Sequence, residues 1–176
     1  MSVGRSSAYW SANRYPDANA EPDPSAPLQD LPAAAAARFK ATRAGLLSIK
    51  GVAENVRFMG ANWRWTWEYG VGSRKLCWLH VVGNGVSTTF TLSDMEESRL
   101  RGIPRLPADL ARAVAESQRT GPVRWCWMEL TDRRMVDGFL TFARRKGEWL
   151  NERPAPHRGP RARGAGAKGG KDPEAE

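Results

Sequence analysis

Tryptophan is the residue type in this chain whose number and spacing most invite chemistry. Trp63, Trp65 and Trp67 alternate with Arg64, Thr66 and Glu68, and Trp125 and Trp127 flank Cys126. On a strand, residues two apart share a face, so each group sets its indoles in a row. A row of indoles beside Arg and Lys can stack planar ligands or unpaired bases, at ~1–3 kcal/mol per ring. A buried row instead forms core, and every ring N–H then needs a partner. The alternate residues separate the two strands. Asn62, Arg64, Thr66 and Glu68 are too polar for a core, so Trp63, Trp65 and Trp67 are expected in the core or lining a concave pocket. Cys126, Met128 and Leu130 are apolar enough to be core themselves, which leaves Trp125 and Trp127 bordering the open side.

Two binding readings follow. In the first, an aromatic, Arg-lined concavity takes a small or anionic ligand. Trp63, Trp65 and Trp67 are its walls, Arg64, Arg74 or Lys75 its charge partners, and Trp125 and Trp127 its border. Such a site would be compact, on the order of several hundred Å³. In the second, a nucleic-acid-binding module uses Trp125, Trp127 and a basic last helix carrying Arg133, Arg134, Arg144, Arg145 and Lys146. Those five residues also read as an ordinary solvated face.

Catalytic signals are thin, and no catalytic residue, metal ligand or cofactor is assigned. The chain contains no HExxH, GxSxG or phosphate-loop signature. Cys77 and His80 have a C-x-x-H spacing, but strand positions three apart face opposite ways, so one ion cannot take both. Cys77 and Cys126 read as small buried hydrophobes. Glu54, Glu68 and Glu129 could do acid–base work only if two of them met, and nothing in their spacing brings them together. Gly70-Val71-Gly72-Ser73 has no helix behind it to aim amides at a phosphate, so it reads as a hairpin turn. The balance leans away from an enzyme and towards a binding domain.

The whole chain bounds these readings. It has 176 residues, a formal net charge of +8 and 41% hydrophobic residues. No apolar run approaches the ~20 residues of a membrane helix, and the first thirty residues lack the apolar stretch of a secretory signal. Two cysteines without a CxxC spacing suit a reducing cytoplasm. In residues 1–30, Arg5 and Arg14 stand against Asp17, Glu21, Asp23 and Asp30, with prolines at 16, 22, 24 and 27. That segment and the Gly/Pro-rich, basic 151–176 are both expected to be disordered. The single domain, 31–150, would then hold the excess positive charge as a fixed patch that attracts polyanions at low salt.

Periodicity supplies the elements that must position these residues. Phe39, Leu46 and Ile49 recur at helical spacing over 33–50, before Gly51. Period two then governs Val56 to Phe58, Trp63 to Tyr69, Lys75 to Val82 and Val86 to Leu92, and Asn84-Gly85 suggests a tight hairpin. Ser93 with Glu96 is a capping box opening a short helix to about Arg101. A helix over 107–118 and a strand over Val123 to Leu130 come next. The last helix is capped by Thr131 or Asp132 and runs to about Lys146, with Met135, Val136, Phe139 and Phe142 inside. This order predicts an α+β fold: an antiparallel meander of about five strands with helices packed on one face, in two layers.

Asn62-Trp63-Arg64-Trp65-Thr66-Trp67-Glu68-Tyr69, Lys75-Leu76-Cys77-Trp78-Leu79, Gly85-Val86-Ser87-Thr88-Thr89-Phe90 and Arg124-Trp125-Cys126-Trp127-Met128-Glu129-Leu130 together resemble a bacterial family, domain of unknown function 3788. The resemblance spans about residues 31–150. It implies a small bacterial α+β domain and no particular activity.

Overall fold

Alternation of apolar side chains builds the sheet, and the residues that interrupt it decide which face each aromatic ring occupies. The computed structural model describes residues 5–152. Two short helical turns, α1 (Ser7–Ser11) and α2 (Pro27–Asp30), precede α3 (Ala33–Leu47). Then come β1 (Val52–Phe58), the turn α4 (Gly60–Trp63), β2 (Trp65–Val71), β3 (Arg74–Val82) and β4 (Gly85–Ser93). The chain continues with α5 (Asp94–Arg101), α6 (Ala108–Ala115), β5 (Gln118–Thr120), β6 (Val123–Glu129) and α7 (Arg133–Asn151). The fold is α+β, with one antiparallel sheet in the order β1-β2-β3-β4-β6-β5. No helix among the described residues is long and apolar enough to cross a membrane.

Local signals placed most of these elements. Ser93 and Glu96 form the expected reciprocal capping box at the start of α5, and the Asp132 side chain caps α7 by accepting from the Met135 amide. Three details differ from the sequence reading. The β3–β4 hairpin turns on Gly83-Asn84, not Asn84-Gly85: Val82 pairs with Gly85, and Gly83, at φ 57°, takes the first central position that favours glycine in a type II′ turn. The helix expected over 107–118 stops at Ala115, and Gln118–Thr120 forms a sixth strand. Gly121, at φ 61°, turns that strand back onto β6. Finally, α7 continues past Lys146 to Asn151.

The core lies between the sheet and helices α3, α6 and α7. Strand pairing fixes which side chains face it: Trp67 lies opposite Leu79 and Tyr69 opposite Cys77, and Phe90 lies opposite Cys126. Phe90 packs on Phe142 at 4.7 Å between ring centroids, and Phe39 of α3 meets Trp67 edge-on at 5.4 Å.

Lys146 also belongs to this core. The expectation that it joins a solvated basic face is corrected, for its side chain is 1% exposed. The cause is helical geometry: Phe139, Phe142 and Lys146 follow at intervals of three and four, so the third basic residue of the run rotates onto the inner stripe. Its ammonium donates to the Thr91 carbonyl and lies 3.6 Å from Glu96 Oε1. Burial pushes its pKa below the ordinary lysine value, against the pull of Glu96. The stability cost of a charged Lys146 is therefore carried below its lowered pKa and relieved as pH rises through it. Replacing a whole buried ion pair with apolar chains of similar volume is often neutral or stabilising, by ~1–4 kcal/mol, whereas removing one partner is costly when it strands the other charge in the interior. Glu96 is not stranded: it is partly exposed and keeps the Ser93 amide at 2.8 Å, so we expect Lys146→Met to hold or raise the thermal midpoint at pH 7. A melting curve checks this, and a clear drop in the midpoint contradicts it.

Residues 5–30 are not the disordered tail that their composition suggested. They run across the sheet as a strap. The Ala12 carbonyl accepts from the Gly83 amide at 2.7 Å, and the Arg14 amide donates to Val81 O at 3.0 Å. Two core indoles hold its later part: Trp65 Nε1 donates to Asp17 O at 2.7 Å, and Trp67 Nε1 donates to Pro24 O at 2.9 Å. A segment of small residues and prolines cannot build a core, but it can close over one made elsewhere. Its carbonyls then satisfy the buried ring N–H groups. Residues 1–4, and the expected C-terminal tail apart from Asn151 and Glu152, lie outside the described residues.

Candidate functional site

The second face of the sheet carries a cluster of rings. Pairing places Glu68 and Trp78 side by side, then Trp78 with Thr89 and His80 with Ser87, then Thr89 with Trp127 and Thr91 with Trp125. Onto this floor come Trp63 from α4 and Tyr9 and Trp10 from α1. Trp63 meets Trp78 at 5.6 Å, His80 at 4.9 Å and Trp125 at 5.8 Å. Trp125 stacks on Trp78 with 25° between planes and is 36% exposed.

The expected row of Trp63, Trp65 and Trp67 is thereby corrected. Arg64 separates it, at φ 57° and ψ −138°, a backbone region that costs a non-glycine residue about 1–3 kcal/mol. The reversal sends Trp63 to the second face, while Trp65 and Trp67 enter the helix-side core beneath the strap. Neither of those two can wall a ligand site. Arg64 itself donates to Ser11 O at 3.1 Å, tying the strained residue to the end of α1.

The proposed charge partners are also dispersed. Arg74 donates to Glu152 O. Lys75 donates to Glu68 at 2.6 Å, and the same carboxylate accepts from Trp78 Nε1 at 3.0 Å and Arg57 at 3.3 Å. Burial works to raise the Glu68 carboxyl, yet these donors together hold it below the ordinary range. Glu54 is occupied elsewhere, by Arg43 Nε and Nη2 and the Tyr69 hydroxyl, and Glu129 is exposed at the end of β6. The three carboxylates form no pair. Cys77 lies on the helix face and His80 on the other, and burial raises the Cys77 and Cys126 thiols to about 12 and about 11.

On α7, Arg133 pairs with Asp137, Arg134 with Asp109 and Arg145 with Glu148. With Lys146 buried, Arg144 is the member of the five that stays exposed without a carboxylate partner among the described residues.

What the fold does bring together is a cleft of about 170 Å³ on the second face, lined chiefly by Arg5, Trp10, Trp63, Thr89, Trp125 and Trp127. It is smaller than expected from sequence. Arg5 lies over the Trp127 ring, 3.6 Å from its centroid, at cation–π distance, and has no carboxylate partner among the described residues. Sequence reasoning missed Arg5, Tyr9 and Trp10, because a Pro-rich amino-terminal stretch carries no period to mark them as sheet-facing.

Two polar atoms here are poorly served. His80 Nε2 is 2.9 Å from the Thr89 hydroxyl, but His80 Nδ1 is buried without a partner. Trp127 Nε1 lies near the Tyr9 hydroxyl without reaching hydrogen-bond geometry. A buried unpaired polar group costs about 1–3 kcal/mol, and such costs gather at functional sites. A larger cavity of about 380 Å³ lies between α6 and α7, walled by Leu110, Met128, Met135 and Phe139. The charges at its rim, Asp109 and Arg134, are already paired. Comparison with known protein families, curated proteins and solved structures found no significant match to this chain.

Proposed function

We propose that this chain is a binding module that holds a planar ring of a small, anionic ligand in the cleft between Trp63, Trp125 and Trp127. The observation that carries the reading is Trp125, a large ring kept exposed and held flat against Trp78 at the mouth of a cleft that Trp10, Trp63 and Trp127 also line. Exposed indoles arranged in this way contribute stacking energy to a planar guest. Arg5 supplies positive charge where the ligand's anionic group would lie. The similarity of residues 31–150 to the domain of unknown function 3788 layout stands beside this as a proposal of kinship, and it adds no activity.

An interface with nucleic acid built on the last helix has less support. Three of its five candidates are in ion pairs and Lys146 is buried.

The test is a calorimetric titration with indole-3-acetate, benzoate and neutral indole. Binding of the two anions should be tighter than that of indole. It should weaken about tenfold in Trp125→Ala, the size of one lost stacking contact. Arg5→Ala should remove the preference for the anions. Unchanged titrations in Trp125→Ala would sink the reading.

A further inference from the structure

Trp10 sits on the second face of the sheet as a ligand would. Its indole meets the His80 ring edge-on at 4.8 Å and lies 5.9 Å from Trp63. The fit is one of shape alone, because His80 Nδ1 stays buried without a hydrogen bond. The segment carrying Trp10 is also unevenly fastened. Residues 12–14 are bonded through their backbone to β3 and its turn, and the Asn13 amide donates to Trp63 O at 2.7 Å. Residues 5–11 are held by ring contacts and two side-chain bonds, from Tyr9 to Ser87 at 2.9 Å and from Arg64 to Ser11 O. An anchored base with a lightly held arm is the arrangement of a displaceable plug.

The open part of the cleft, about 170 Å³, falls below the ~300–1,000 Å³ usual for small-molecule sites. The missing volume adjoins it, under Trp10, which lines the cleft. Resting on the reading of this cleft as a ligand site, we propose that the ligand is a purine nucleotide whose base replaces the Trp10 indole over His80, with α1 swinging away about Ala12 and Asn13. An indole and a purine share the same fused five- and six-membered outline, so the space that the Trp10 indole fills beside Trp63 and His80 is already cut to a purine. The purine adds what the indole lacks, an edge of ring nitrogens and exocyclic groups. These reach His80 Nδ1 and the Trp127 N–H, which the departure of Tyr9 uncovers. Lifting α1 carries Arg5 off with the arm and frees the Arg64 guanidinium from Ser11 O, beside Trp63, where Arg64 takes over from Arg5 as the charge that meets the phosphate.

The experiment uses the full chain with the four common nucleoside 5′-monophosphates, and with purine-only and pyrimidine-only single-stranded oligonucleotides. Three readouts are taken: tryptophan quenching, chymotrypsin cleavage at Tyr9 and Trp10, and the His80 ring ¹⁵N shifts. Purine monophosphates are expected to quench more strongly than pyrimidine ones, to accelerate cleavage at Tyr9 and Trp10, and to move the Nδ1 signal. Trp10→Ala should tighten purine binding about tenfold, since the internal competitor is gone. The cleavage and ¹⁵N readings on the unmutated protein decide the matter if that variant folds poorly. Binding of the purine oligonucleotide without the mononucleotides supports the same base site and names a single strand as its source. Purine binding that leaves cleavage and the His80 signal unchanged, with no gain in Trp10→Ala, overturns the proposal. So does purine indifference in a protein that still binds indole-3-acetate, and in both cases the cleft reading survives. Silence towards every probe removes both.

Discussion

Between pH 6.5 and 4.5 the native state is expected to lose roughly 2–3 kcal/mol of stability through His80 alone. Burial between the sheet and the rings of Trp10 and Trp63 pushes the His80 pKa down from 6.5 to about 3. The unfolded chain therefore takes up a proton in this range while the folded chain does not. Because the unfolded state binds more protons, stability falls as pH falls, by ~1.4 kcal/mol per pH unit. The contribution is intact above pH 6.5 and exhausted near pH 3. Glu68, whose folded pKa is depressed from 4.5, adds its own loss only below that value, so the upper window isolates the histidine. Urea midpoints measured across it should slope steeply in the natural protein. They should be nearly flat in His80→Phe, which keeps a ring between Trp10 and Trp63 but has no proton to gain. Equal slopes in the two proteins would falsify the assignment.

Trp67→Ala should be the most damaging single truncation on the strap side of the sheet, at about 3–5 kcal/mol for a buried aromatic ring. Trp67 is fully buried, contacts Phe39 and Tyr15 edge-on and holds Pro24 O through its ring nitrogen. The truncation removes core volume and a latch of the strap together. Tryptic cleavage after Arg14 and amide exchange over residues 14–30 should therefore quicken by more than the global loss explains. Trp67→Phe separates the two effects. It keeps most of the ring volume and forfeits mainly the hydrogen bond, worth about 0.5–1.5 kcal/mol, so it should loosen the strap with a smaller stability loss. A strap that stays equally protected in both variants would show that its order does not depend on this indole.

Much of the candidate site was readable as residue type and not as placement. Trp63, Trp125 and Trp127 were singled out by spacing, and all three line the cleft. Trp65 and Trp67 had the same spacing and went to the other face, because one residue, Arg64, takes a positive φ where alternation assumes extended backbone. Lys146 was legible and misread: its interval of four from Phe142 puts it on the inner stripe, but its neighbours Arg144 and Arg145 suggested a solvated run. Arg5, Tyr9 and Trp10 had no local signal at all.

By itself, the sequence determined what depends on neighbours within a turn or a strand pair. The period-two runs, the capping box of Ser93 and Glu96, the Asp132 cap and the α+β class all rest on interactions spanning a few residues, and those interactions act the same wherever the element is placed. Tertiary structure decided what depends on partners far along the chain. The strap is ordered because indole N–H groups 48 and 43 residues away need carbonyls. The cleft exists because α1, α4 and β6 deliver rings to one face from three distant segments. Burial made His80 neutral and left its Nδ1 without a partner, and no property of the local sequence contains the solvent that was excluded there.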